Sequence, residues 1–221
     1  LPCDFDPCFV IRHSSFVILN IQGMKLSTLA ILLGLGFGLP QLYGLLKPAK
    51  FRDAVRKFPR SEPVGYVLMM LGTVWFLWNL QQENISDFAA YKKLMLIGFG
   101  AVGVATCIYV RDFLAVRGLA IVFLLLAKLM VDTARWEETE WRLVIVSWAY
   151  LLIVAGMWFT VSPWRLRDFL TWGTATDNRI RIGCGMRLAF GMFVIILGLI
   201  VFRAVEQKSQ AQEAATPGLA R

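Results

Sequence analysis

Pro48-Ala49-Lys50-Phe51-Arg52-Asp53 and Pro163-Trp164-Arg165-Leu166-Arg167-Asp168 share one pattern: proline, any residue, a basic residue, an apolar residue, then Arg-Asp. A third pair, Arg111-Asp112, lies 59 residues after the first and 56 before the last. Two copies extend further, to Arg111-Asp112-Phe113-Leu114 and Arg167-Asp168-Phe169-Leu170. Each pair occupies a short polar gap between apolar stretches. The spacing predicts an all-α, polytopic membrane bundle of about six transmembrane helices, arranged as three helical-hairpin repeats over about 24–80, 94–131 and 143–203.

The composition around these gaps sets the class. Of 221 residues, 57% are hydrophobic, and the mean hydropathy is +0.61. One soluble core of this length would not bury so much apolar surface. Helices are predicted over roughly 26–46, 64–80, 94–110, 113–131, 143–162 and 182–202, against the ~20 residues that cross a hydrocarbon core. Trp75, Trp78, Tyr91 and Tyr109 fall near the ends of the second and third stretches, where amphipathic rings favour the interface.

Charge alternates from gap to gap. The first gap carries Lys47, Lys50, Arg52, Arg56, Lys57 and Arg60; the third Arg111 and Arg117; the fifth Arg165, Arg167, Arg179 and Arg181. The other two gaps hold only Lys92 and Lys93, and Arg135 and Arg142. Positive-inside bias therefore predicts all three Arg-Asp gaps on the cytoplasmic side and both termini outside. The six basic residues of the first gap are expected to meet anionic lipid headgroups, with the bilayer as the main partner. The net charge of +8 is thus split among loops held at a membrane, which argues against nucleic acid.

Two gaps carry an additional element. In 48–58 the apolar residues Phe51, Ala54, Val55 and Phe58 recur at helical spacing with charges between them, predicting an amphipathic interfacial helix that starts at Pro48. Its counterpart starts at Pro163, with Ser162 as the expected cap and Leu166, Phe169 and Leu170 on the apolar face. The middle gap is too short for such a helix. At the ends of the chain, Met24-Lys25 leads into the first apolar run, so residues 1–23 are expected to be an upstream extension of the reading frame or part of a longer chain. Residues 204–221, polar and rich in Ala, Gln and Glu, are expected to form a disordered tail.

Candidate sites are few. Pro40, Gln41 and Arg187 interrupt apolar runs, and they mark either a polar path or ordinary helix packing with a snorkelling arginine. Gly34 and Gly38, four apart, favour close helix approach. Lys128 and Asp132 lie one turn apart and are expected to pair. Trp136-Glu137-Glu138-Thr139-Glu140-Trp141 reads as an acidic outer loop anchored by aromatics. The pairs Arg52-Asp53, Arg111-Asp112 and Arg167-Asp168 are expected to form a ring of salt bridges between repeats, since neighbours along a helix do not face one another.

Catalytic, cofactor and metal sites are not expected. The sequence has one histidine, His13, no Cys-x-x-Cys pair, and none of the zinc-protease, nucleophile-elbow or phosphate-loop signatures. These features point to a structural or accessory membrane subunit with a membrane-protein partner or a homo-oligomeric assembly, the alternative being a small-solute transporter or channel.

Residues 161–202 carry Ser162-Pro163-Trp164-Arg165-Leu166-Arg167, then Arg181-Ile182-Gly183 leading into a helix spaced by Gly191 and Gly198. This segment resembles the YjeT-like proteins, small two-helix bacterial inner-membrane proteins of unknown function. The resemblance implies placement in a bacterial inner membrane and no activity. Six spans and a longer turn depart from the two-helix pattern.

Overall fold

The computed structural model describes residues 25–83, 91–110, 112–135 and 139–208. Among them the secondary structure is helical throughout. Six helices are long and apolar enough to cross a membrane: α1 (Leu26–Leu46), α3 (Glu62–Gln82), α4 (Lys92–Tyr109), α5 (Leu114–Ala134), α6 (Arg142–Val161) and α8 (Asp177–Leu197). Two shorter ones, α2 (Pro48–Lys57) and α7 (Pro163–Gly173), fill the first and last of the basic gaps. The architecture fits an integral membrane protein.

The boundaries follow local chemistry. Pro48 and Pro163 each occupy the first turn of a short helix, where a missing N–H costs nothing. Ser162 precedes α7 but makes no side-chain cap; instead its carbonyl accepts the Arg165 N–H at 3.1 Å. α1 continues unbroken through Pro40. α8 begins at Asp177, five residues before the expected 182, because its polar first turn is hidden from a hydropathy reading. At the other end it passes through a π-helical turn, Gly198–Phe202, and resumes as α-helix through Lys208. Residues 204–208 thus belong to this helix and not to a tail, and Glu206 ties them down by accepting from Ser27 N at 3.1 Å and Ser27 Oγ at 2.9 Å. The N-terminal extension, the tail from 209 onward, Arg111 and Trp136-Glu137-Glu138 lie outside the described residues.

Helix partners differ from the expected hairpins. α1 packs most extensively on α8, α3 on α5, and α5 on α6, with α4 attached at the edge to α3. The two spans within each expected repeat, α1 with α3, α4 with α5 and α6 with α8, are not packed together as hairpin partners. Glycines explain the choice. A Cβ at Gly34 would meet the Gly191 carbonyl oxygen at 2.7 Å, and one at Gly191 would meet the Gly34 carbonyl oxygen at 3.0 Å, so each helix makes room for the other's backbone. Gly65 and Gly118 do the same for α3 and α5, with backbone nitrogens of Ala115 and Met69 at 2.8 Å from the respective Cβ positions. Gly98, Gly183 and Gly185, by contrast, face open space.

The two ends of the bundle are built differently. Toward the end that carries both described termini, α1, α5, α6 and α8 close around Leu29, Leu33, Met130, Ile145, Val194 and Phe202. Phe37, Trp148 and Phe190 stack edge to face at this cluster, with ring centroids 5.1 to 6.3 Å apart. Toward the opposite end, α2 and α7 pack against each other and against the ends of α1, α5, α6 and α8.

Candidate functional site

Beneath α2 and α7 are two cavities that share the side chains of Phe51, Val55 and Leu170. The first, about 610 Å³, lies between α1, α2, α7 and α8. The second, about 490 Å³, lies between α1, α2, α5 and α7 and is lined by apolar and aromatic residues, including Pro40, Tyr43, Phe58 and Phe123. Both are within the size range of small-molecule sites, ~300–1,000 Å³.

The first cavity collects the polar groups. Gln41 projects from α1, and Arg179 and Arg187 from α8, with Thr174 at the α7–α8 turn. Among the described residues, no acidic one lines this cavity. Gln41 is only 9% exposed, and its Oε1 has no hydrogen-bond donor among the described residues. Arg179 sits 5.4 Å from the Trp172 ring centroid, a cation–π distance. Phe37 lines this cavity and also packs against the hydrophobic cluster of α1, α5, α6 and α8. A Cβ on Gly44 would meet Cys184 Sγ at 2.5 Å and the Phe51 ring at 3.3 Å, so this glycine lets α2 and α8 close on α1 beside the cavity.

Two arginines of α2 hold it in place as a roof. Arg52 pairs with Asp177 at the start of α8. Arg56 donates from Nε to Thr174 Oγ1 and from Nη2 to the Thr174 carbonyl, both at 3.1 Å. These two members of the basic loop therefore bind the protein's own α7–α8 turn, which corrects the expectation that all six meet lipid. Lys47, Lys50, Lys57 and Arg60 remain exposed.

Of the expected polar-path residues, Gln41 and Arg187 come together in the first cavity, while Pro40 lines the second. The salt-bridge ring does not form among the described residues. Arg167 pairs with its own neighbour Asp168 at 3.1 Å, Arg52 selects Asp177, and Asp53 and Asp112 make no ion pair. The expected Lys128–Asp132 pair forms at 2.7 Å, and Lys128 also reaches Glu83 at 3.1 Å. Arg179 was read from sequence only as a basic residue of the last gap, and Trp172 and Thr174 were not singled out. The signal for Arg179 is the polar first turn of α8, which an apolar window starting at 182 leaves out.

Comparison of the chain with protein-family models, with curated proteins and with solved structures gives no match in any of the three. The functional argument therefore rests on geometry.

Proposed function

We propose that this protein is a non-catalytic accessory subunit of a bacterial inner membrane, with the α2/α7 end in the cytoplasm and both termini outside. In this reading it associates with a membrane-protein partner or with further copies of itself. The observation that carries it is Phe37, which lines the Gln41 cavity and also packs into the hydrophobic cluster of α1, α5, α6 and α8. With packed apolar side chains continuing beyond Phe37, the cavity is suited to holding something at one membrane face. The basic content of the α2 and α7 gaps supports the orientation, and the YjeT-like resemblance of 161–202 supports the compartment.

A small-solute transporter is the second reading, favoured by the meeting of Gln41 and Arg187 in one cavity. Transport would require Phe37, Trp148 and Phe190 to part. Two measurements on the full chain separate the readings. Purification in mild detergent after brief crosslinking should recover a stoichiometric membrane partner or a defined homo-oligomer, and proteoliposomes should show no more solute or ion flux than protein-free ones. Flux above that background, with the protein recovered as a monomer, would overturn the accessory reading.

A further inference from the structure

We propose that the cavity roofed by α2 and α7 binds one anionic lipid, its acidic head held by Arg179 and Arg187 and its chain laid along Phe51, Val55 and Leu170. Partner recruitment does not enter this inference, so either can fail alone.

Three observations converge. Among the described residues, the cavity wall carries two guanidinium groups and no carboxylate, so it offers uncompensated positive charge to an occupant; basic pockets between membrane helices favour anionic heads in this way. The rest of the wall is mostly apolar, as an acyl chain requires. Third, Gln41 places a nearly buried amide here whose Oε1 lacks a donor. A buried acceptor left unpaired is unfavourable, and a hydroxyl on the head group would satisfy it. A phosphate diester bearing a glycerol hydroxyl supplies acid, hydroxyl and chain together, whereas a free anion supplies only the first.

The charges that roof the cavity leave these arginines available. Asp177, the acid at the start of α8, is engaged by Arg52, and Thr174 is engaged by Arg56. Gly183 lines the same cavity, and a Cβ there would meet nothing within 4 Å. A large side chain at this position would therefore enter the lipid's space without disturbing a packed helix contact.

The test is native mass spectrometry of the full chain titrated with dioleoyl-phosphatidylglycerol, dioleoyl-phosphatidylcholine or inorganic phosphate. One retained phosphatidylglycerol is expected, preferred over phosphatidylcholine by about tenfold or more, and this preference should vanish in R179Q/R187Q. G183W, with all charges intact, should lose the retained lipid. K47Q/K50Q removes the same charge from exposed positions on or beside α2 and should preserve the preference. Equal retention of the two lipids would overturn the proposal, as would preference surviving in R179Q/R187Q or falling equally in K47Q/K50Q. Binding of inorganic phosphate without lipid selectivity would also overturn it, identifying a free-anion site instead.

Discussion

Single residues decide where backbones can approach. At Gly65, a Cβ would press on the Ala115 amide nitrogen and the Leu114 Cβ at 2.8 and 3.0 Å. Relief would need α3 and α5 to separate, because backbone cannot rotate away as a side-chain tip can. Gly65→Ala should therefore destabilise the protein by about 1–3 kcal/mol, the usual range for overpacking. Gly36→Ala provides the opposite case: its Cβ would meet nothing within 4 Å, and alanine is favoured in a helix by about 1 kcal/mol. Thermal unfolding in one detergent should show a lower Tm for the first and an unchanged or higher Tm for the second; equal losses would sink the packing argument. Phe113 gives another residue-scale test. It adopts φ 56° and ψ 30° at the start of α5, a left-handed conformation unfavourable for a bulky side chain. Phe113→Asn should raise the Tm or leave it unchanged, whereas a clear fall would mean that the ring's packing outweighs the backbone cost. Such distinctions among glycines were only partly legible in sequence. Gly34 and Gly38 announce a contact face by their spacing, but nothing local distinguishes Gly191, which meets α1, from Gly183, which meets nothing.

At the scale of elements, the sequence reads out individual helices much better than their partners. A span must be apolar to lie in lipid whichever face it packs, so periodicity around it is weak and carries little information about its neighbour. α2 is the contrasting case. Its charges alternate with Phe51 and Val55, and its amphipathic nature is plain in the sequence. What sequence could not reveal is that Arg52 and Arg56 are committed to residues more than a hundred positions away, at the α7–α8 turn. Gln41 and Arg187 stood out because polarity is costly inside an apolar run, yet their meeting depends on the same long-range docking. If the two arginines clamp the roof, R52A/R56A should loosen α2 while leaving the spans folded. Hydrogen–deuterium exchange should then rise by roughly 5- to 150-fold in the amides of 50–58 and stay unchanged in α5 and α6, corresponding to an opening cost lower by about 1–3 kcal/mol once the hydrogen bonds made by charged groups are lost. Unchanged exchange in α2 would show that its apolar face alone holds it.

For the molecule as a whole, the order of packing determines what can fold separately. Three Arg-Asp turns at nearly even spacing imply three hairpins, each able to form first and associate later. The packing instead joins the first span to the last and the second to the fourth, and Ser27 and Glu206 hydrogen-bond across 179 positions to fasten α1 to the end of α8. Helices α1 and α3 therefore bury their closest-packed faces against α8 and α5, which come from the other half of the chain, while α4 rests on α3. Cutting the chain at the turn after Val110 should leave two fragments that each insert but remain incomplete, because the faces of Gly34 and Gly65 await Gly191 and Gly118. Co-expressed with a tag on only one fragment, the halves should copurify in mild detergent, and the complex should weaken when Gly191→Leu or Gly118→Leu blocks a seam. Independent, stable halves that fail to copurify would instead show that each half buries its own faces, and would make the α1–α8 and α3–α5 seams secondary. Copurification that depends on both glycines would mean that the recess beneath α2 and α7, walled by α1 from one half and α8 from the other, exists only after the two halves have joined.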